Sequence, residues 1–135
     1  MDYEYEGPDR IEMNVFTGHY SLDLYLENRN RTTILKEIAN DNKISVEECT
    51  ERLQPVIDIV TEKRRIIRQY NSTKARYNEL YDDFCGIDEN PKSVTIGRRL
   101  CRMSIDLEQM CIELDRCDAM ICDAVDNTRL KLYSN

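Results

Sequence analysis

Hydrophobic residues recur at alternating steps of three and four along two long stretches of the chain, a spacing typical of helices that pack along a heptad seam. The first stretch opens with a capping box, Ser45-Val46-Glu47-Glu48. Its seam residues are Cys49, Leu53, Val56, Val60, Lys63, Ile67, Tyr70, Lys74, Tyr77, Tyr81 and Phe84. We predict a long helix over 45–85, with a kink or break near Arg52 and Leu53, because Pro55 removes a backbone hydrogen bond.

The second long stretch follows a short loop at 86–92, where Gly86 and Pro91 disfavour a continuous helix. With Ser93 as its N-cap, the pattern predicts a long helix over 93–131. Its seam residues are Ile96, Leu100, Met103, Leu107, Met110, Leu114, Cys117, Ile121 and Ala124. Because the loop is short, we expect the two long helices to fold back on each other in antiparallel orientation.

Short helices are predicted between residues 19 and 43. The segment Leu22–Leu26 alternates as in a strand, but the chain offers no second strand to pair with it, so a helix is favoured. Thr33–Asn40 places its apolar side chains on one face, as a short helix does. The predicted fold class is all-α: an elongated antiparallel helical hairpin or three-helix bundle with coiled-coil heptads, forming a single domain over 19–135.

The composition supports this class and limits the function. Only 4 Gly and 3 Pro punctuate 135 residues, which disfavours sheet proteins with their frequent turns. With 26 acidic and 19 basic residues the net charge is −7, so we expect neither nucleic-acid nor membrane partners. Residues 1–18 are predicted to be a disordered acidic tail. No signal-peptide pattern and no membrane-spanning apolar run is seen, which predicts a cytoplasmic or nuclear location.

The residue types that carry chemistry are sparse. His19 is the only histidine, and the six cysteines contain no Cys-x-x-Cys pair, so we expect no metal, no cofactor and no catalysis. The cysteines are interpreted as buried or half-buried packing thiols. A helix-turn-helix rhythm precedes the first long helix, but Glu47, Glu48 and Glu51 would face the phosphates of DNA. A corner between two helices explains the same residues.

Basic side chains are concentrated in the middle of the chain. Residues 31–80 hold ten basic and eight acidic groups, whereas residues 81–135 hold seven and eleven. The basic groups cluster at Lys63, Arg64, Arg65, Arg68, Lys74 and Arg76, and again at Arg98, Arg99 and Arg102. Two interpretations remain open: a solvated face with intrahelical ion pairs, or arginines that bind the acidic surface of another protein.

Part of the chain resembles a known family. Lys92–Leu100, with its Ser-x-x-Ile-Gly start, and Glu113–Ile121 resemble the last helix of BAG-family co-chaperones, in particular the brand-new BAG domain. Val56–Val60 and Tyr77–Tyr81 are similar to the first helix of that domain, so the resemblance covers residues 53–125. It implies nucleotide exchange on a 70-kDa heat-shock chaperone, performed by helices that hold the lobes of the ATPase domain apart.

The sequence therefore predicts a non-catalytic protein-binding module, with the BAG-like co-chaperone role as its most specific form. We expect a homodimer formed through one heptad seam. The alternative is a structural coiled-coil subunit of a larger complex with no activity of its own. The predicted partner-binding residues are Arg64, Arg68, Arg98, Arg99, Arg102, Asp115, Arg116 and Asp118.

Overall fold

The computed structural model describes residues 4–27, 31–86 and 91–132. Four α-helices follow one another, and these ranges contain no strand: α1 (Tyr20–Leu26), α2 (Arg31–Asp41), α3 (Val46–Cys85) and α4 (Pro91–Thr128). The predicted all-α class is confirmed, and the Leu22–Leu26 segment is helical. Most of the predicted loop at 86–92, and the first three residues of the predicted tail, lie outside the described residues.

The two long helices begin in different ways. The Ser45 hydroxyl accepts a hydrogen bond from the Glu48 N–H at 3.1 Å, as a capping box requires. In a full capping box the Glu48 carboxylate accepts from the Ser45 N–H, but among the described hydrogen bonds it accepts from Arg52 at 2.8 Å. Helix α4 begins at Pro91, so the prediction of Ser93 as its N-cap is wrong. Proline is favoured at the first helical position because its missing N–H would have no helical acceptor there.

Two further features of the long helices differ from the sequence prediction. Helix α3 runs without a break through Pro55. Pro55 has no N–H to donate to the carbonyl of Glu51, one turn earlier. Both residues are exposed, so water can donate to that carbonyl instead. Helix α4 ends at Thr128 and not at 131, because Arg129 takes the left-handed conformation with φ 55°, which ends many helices.

Contacts between residues group the chain into two compact units. The first unit consists of Met1–Met13 and Arg65–Asp115. The second unit consists of Asn14–Arg64 and Arg116–Asn135. Each unit therefore contains part of α3 and part of α4.

The second unit is built around an apolar core. Helices α1 and α2 pack there with the first part of α3 and the last part of α4. The core side chains are almost entirely aliphatic: Val15, Leu22, Leu26, Ile34, Ile38, Leu53, Val56, Val60, Ile121 and Val125, together with Tyr25, Ala39, Cys49 and Ala124. The predicted seam residues of both long helices in this unit are buried, apart from Lys63, which is half-buried.

The first unit pairs the second part of α3 with the first part of α4. Residues 73–83 of α3 line a groove with residues 99–106 of α4, and residues 65–73 line another with 106–113, so the two stretches run antiparallel. Eight residues that the seams predict are buried in this unit: Ile67, Tyr70, Lys74, Tyr77, Leu100, Leu107, Met110 and Leu114. The core of the second unit has Tyr25 as its one buried tyrosine among the described residues, whereas this one contains Tyr70, Tyr77 and the ammonium group of Lys74.

Residues 4–13, here called the strap, lie along the two helices of the first unit. The Asn71 side chain binds the backbone of Ile11 twice, accepting from its N–H at 2.9 Å and donating to its carbonyl at 3.0 Å. The Tyr5 N–H donates to the Tyr77 hydroxyl at 2.6 Å. The strap therefore has defined contacts where composition predicts a disordered tail, because backbone groups of the strap find hydrogen-bond partners on α3.

Candidate functional site

An open groove runs between α3 and α4 in the first unit, with a volume of about 440 Å³. We call it the arginine groove, after Arg76, Arg99 and Arg102. Arg99 and Arg102 are three residues apart and therefore lie on the same side of α4. Arg76 faces the same groove from α3. The full lining is Thr73, Arg76, Glu79, Leu80, Asp83, Arg99, Arg102, Met103 and Asp106.

The charges of the arginine groove are balanced. Glu79, Asp83 and Asp106 line it together with the three arginines. All six side chains are exposed to solvent. The Arg76 guanidinium donates to the Ser72 hydroxyl of its own helix at 3.2 Å, which leaves further N–H groups of the planar fork for an acceptor outside the chain. The groove therefore presents both hydrogen-bond donors and acceptors to solvent.

The structure brings together only part of the predicted partner-binding set. Arg99 and Arg102 share the arginine groove. Arg98, Arg68 and Asp115 also belong to the first unit and are exposed, but they do not line this groove.

The other three predicted residues belong to the second unit. The Arg64 guanidinium donates to the carbonyl of Leu26, the last residue of α1, at 2.9 Å. This bond satisfies a carbonyl at the helix end that has no partner within the helix, so Arg64 stabilises the fold. Asp118 forms an ion pair with Lys63 of α3, and Arg116 is exposed. The predicted set is therefore spread over both units.

Arg76 is absent from the predicted partner-binding set, although it belongs to the basic cluster of the sequence. The sequence does contain a sign that Arg76 lies near Arg102, namely the distance of each residue along the chain from the loop at 86–92. Arg76 lies ten residues before Gly86, and Arg102 lies ten residues after Lys92. In an antiparallel hairpin, residues equally far from the connecting loop come level with each other, so this spacing places the two arginines side by side.

The strap forms a second polar cluster, centred on Tyr5. The Tyr5 hydroxyl lies 3.4 Å from the Cys111 sulfur and 3.1 Å from the Tyr70 hydroxyl. The Tyr70 hydroxyl also donates to the carbonyl of Pro8. Burial, followed by the hydrogen bond with Cys111, raises the pKa of Tyr5, and burial also raises the pKa of Tyr70. Both shifts favour the neutral phenol, which can donate a hydrogen bond.

Lys74 is the buried charge of this cluster, with only 7% of its surface exposed. Its ammonium donates to the Asn78 side chain at 2.7 Å and lies 3.6 Å from the Asp9 carboxylate. It also lies over the ring of Tyr77, at 5.1 Å from the centroid. The hydrogen bond from Asn78, and then the charge of Lys74, lower the pKa of Asp9. Compensation of this kind explains how a lysine occupies a predicted seam position.

The thiols differ from the sequence interpretation at two positions. Cys49 and Cys117 are buried and Cys101 and Cys111 half-buried, as predicted. Cys85 and Cys122 are exposed, because the first is the last residue of α3 and the second follows the seam residue Ile121. Within the described ranges, no three His, Cys, Asp or Glu side chains are grouped to hold a metal ion. None of the helices described here is sufficiently long and apolar to cross a membrane.

Comparisons with known proteins found no relative of this chain. No protein-family model matches the chain, and neither a curated protein nor a solved structure matches it.

Proposed function

We propose that this chain is a non-catalytic protein-binding module whose binding surface includes the arginine groove. The observation that carries the proposal is that Arg76, Arg99 and Arg102, from two helices, line one open groove. Arginine is enriched among residues that dominate binding energy at protein interfaces, because its planar fork pairs with carboxylates through two hydrogen bonds. The partner is accordingly a protein surface that exposes Asp or Glu side chains.

The more specific proposal is a co-chaperone that promotes nucleotide exchange on a 70-kDa heat-shock chaperone. It is supported by the resemblance of residues 53–125 to the BAG domain. In that domain a basic pair lies about one turn further into the last helix, where this chain has Met103 and Ser104. Arg99 and Arg102 are proposed to replace that pair, because both are exposed in the arginine groove.

Release of a fluorescent ADP from the purified chaperone ATPase domain tests the specific proposal. We expect this protein to accelerate release, and the double variant Arg99→Glu/Arg102→Glu to weaken the effect by about tenfold or more, since each lost charge-assisted contact is worth about 1.5–3 kcal/mol. Lys36→Glu is the matched control, because Lys36 is an exposed cation on α2 in the second unit. Absence of acceleration by the unmodified protein rejects the co-chaperone role.

The broader proposal has a separate test by affinity capture. The unmodified protein, the Arg99→Glu/Arg102→Glu variant and the Lys36→Glu control are each used as bait. We expect at least one partner to be retained by the control and lost by the double variant. Identical capture by all three baits means that the arginine groove is not the binding surface.

The alternative, a structural coiled-coil subunit of a larger complex, is favoured by exposed apolar side chains on α4. Such a subunit needs an apolar face that is not buried within its own fold and can therefore contact a partner. The seam residues Tyr70, Leu100 and Leu107 do not provide one, because they are fully buried within the first unit. A constitutive partner that co-purifies at equal stoichiometry would favour this alternative over the co-chaperone.

A further inference from the structure

Helix α4 carries a second apolar row in addition to its buried seam. Val94, Ile105 and Ile112 are exposed over 54%, 59% and 52% of their surfaces, and the half-buried Cys101 completes the row. We call these four residues the outer stripe. Successive members are seven, four and seven residues apart, so they lie on one face of the helix. Single exposed apolar residues are common, but a row at heptad spacing is typical of a helix-pairing face.

The outer stripe is separate from the buried seam of α4 and from the arginine groove. The buried seam residues Leu100 and Leu107 occupy other positions of the helical repeat. The arginine groove is lined on α4 by Arg99, Arg102, Met103 and Asp106, none of which belongs to the stripe. The stripe lies wholly in the first unit, so its geometry depends on one helix alone.

The order of residues along the stripe is symmetric about Met103. Val94 and Ile112 lie nine residues before and after it, and Cys101 and Ile105 lie two before and after. Let two copies of α4 cross in antiparallel orientation at the level of Met103 along the helix axis. Val94 of one copy then comes level with Ile112 of the other. Cys101 likewise comes level with Ile105. Self-complementarity of this kind is what a two-fold symmetric interface requires.

Two charged residues fall within the same row, between its apolar members, and they select the same orientation. Arg98 and Glu108 are exposed and lie five residues before and after Met103. In the antiparallel arrangement Arg98 of each copy is level with Glu108 of the other, which gives two attractive pairs. In a parallel, in-register arrangement Arg98 would face Arg98 and Glu108 would face Glu108, which is repulsive.

We propose that two copies of this chain associate through the outer stripes of α4, antiparallel and centred on Met103. The occupant of the stripe is a second copy because both the apolar and the charged positions match their own reversed order. A single pair of helices forms a contact at the low end of specific interfaces, so the dimer is expected to dissociate in roughly the micromolar range. This proposal does not rest on the chaperone role, since it concerns the protein alone.

Sedimentation equilibrium of the purified protein, from about 1 to about 500 µM, tests the association. We expect the average mass to rise with concentration from 16.0 kDa towards twice that value. A mass that stays at one chain throughout overturns the proposal, and it leaves the arginine groove untouched, because that groove is tested with a partner protein.

Substitution of the stripe tests its location. Ile105→Asp is expected to weaken dimerisation by about tenfold or more, because it places two carboxylates in the apolar contact of a symmetric dimer. Phe16→Asp is the matched control, since Phe16 is a large exposed apolar residue (68%) in the second unit. Circular dichroism verifies that both variants remain helical. A dimer that survives Ile105→Asp as well as it survives Phe16→Asp excludes the outer stripe.

Charge reversal tests the orientation. Arg98→Glu and Glu108→Arg are each expected to weaken the dimer, because each converts both attractive pairs into repulsive ones. The double variant Arg98→Glu/Glu108→Arg restores the two attractive pairs and is expected to dimerise like the unmodified protein. Single variants that dimerise normally, or a double variant that stays monomeric, contradict the antiparallel arrangement.

Discussion

The two units of this protein stabilise the same two helices by different means. The second unit buries an aliphatic cluster contributed by all four helices. The first unit buries Tyr70, Tyr77 and Lys74, whose polar groups bind the strap. An aliphatic side chain is satisfied by any apolar neighbour, whereas a buried hydroxyl or ammonium needs a partner at a defined position. The first unit therefore depends on a segment that lies far away in the sequence.

The largest expected effect comes from the apolar core of the second unit. Leu53→Ala removes a fully buried side chain, and we expect it to lower the free energy of unfolding by about 3 kcal/mol, measured by urea denaturation. Met120→Ala, at an exposed position of α4, is the control and should change it by less than about 0.5 kcal/mol. A similar small loss for Leu53→Ala would contradict the view that this core stabilises the second unit.

An intermediate effect is expected where the strap meets α3. Tyr70→Phe keeps the buried ring but removes the hydroxyl that donates to Pro8 and contacts Tyr5, so the strap should be destabilised by about 1 kcal/mol. Hydrogen exchange measures the result directly: the amides of Tyr5 and Ile11 should exchange faster, while those of the second unit should not change. The control is Tyr20→Phe, because the Tyr20 side chain is exposed. Unchanged exchange at Tyr5 would show that the hydroxyl does not hold the strap.

The smallest effect is expected from acid. Because the pKa of Asp9 in the folded protein lies below its ordinary value of 3.8, its contribution to strap binding is complete above pH 3.8 and is lost as the pH falls through the lowered pKa. Relative to the intrinsic exchange rate at each pH, hydrogen exchange at Ile11 should therefore accelerate slightly below pH 3.8. The effect is small because the carboxylate is exposed and screened by solvent.

Asp9→Asn serves as the reference for that titration. It removes the titrating group, so the acceleration at Ile11 should be absent in this variant. If both proteins respond alike to acid, a carboxylate other than Asp9 is responsible.

The predicted seams describe the buried faces of the long helices well. Leu53, Val56, Ile67, Leu107 and Ile121 are all buried where the heptad spacing places them. This success has a simple cause, because a helix positions every side chain by its local geometry, and the apolar row must face another element. The Ser45 cap was also predictable, since its partner is three residues away.

Features that depend on distant partners were predicted poorly. The acidic residues around Tyr5 suggest disorder when only composition is considered, and the contacts with Tyr70 and Tyr77 join positions more than sixty residues apart. Arg64 is one of the predicted partner-binding residues, and the sequence contains no sign that its guanidinium also donates to the end of α1. The residues around Arg64 do not indicate that the Leu26 carbonyl lies within its reach, because that carbonyl is 38 residues earlier in the chain.

The sequence by itself determined the helical class, the faces that are buried and the positions of the arginines along α3 and α4, because these follow from helical periodicity. Only the tertiary structure decided which arginines share a groove, which charges are used within the fold and that residues 4–13 pack against α3. Those outcomes depend on the pairing of helices and on contacts between remote segments, and local spacing does not encode them. The same distinction applies to the outer stripe: its spacing is a property of the sequence, but its exposure follows from the tertiary structure, which buries the other apolar row of α4.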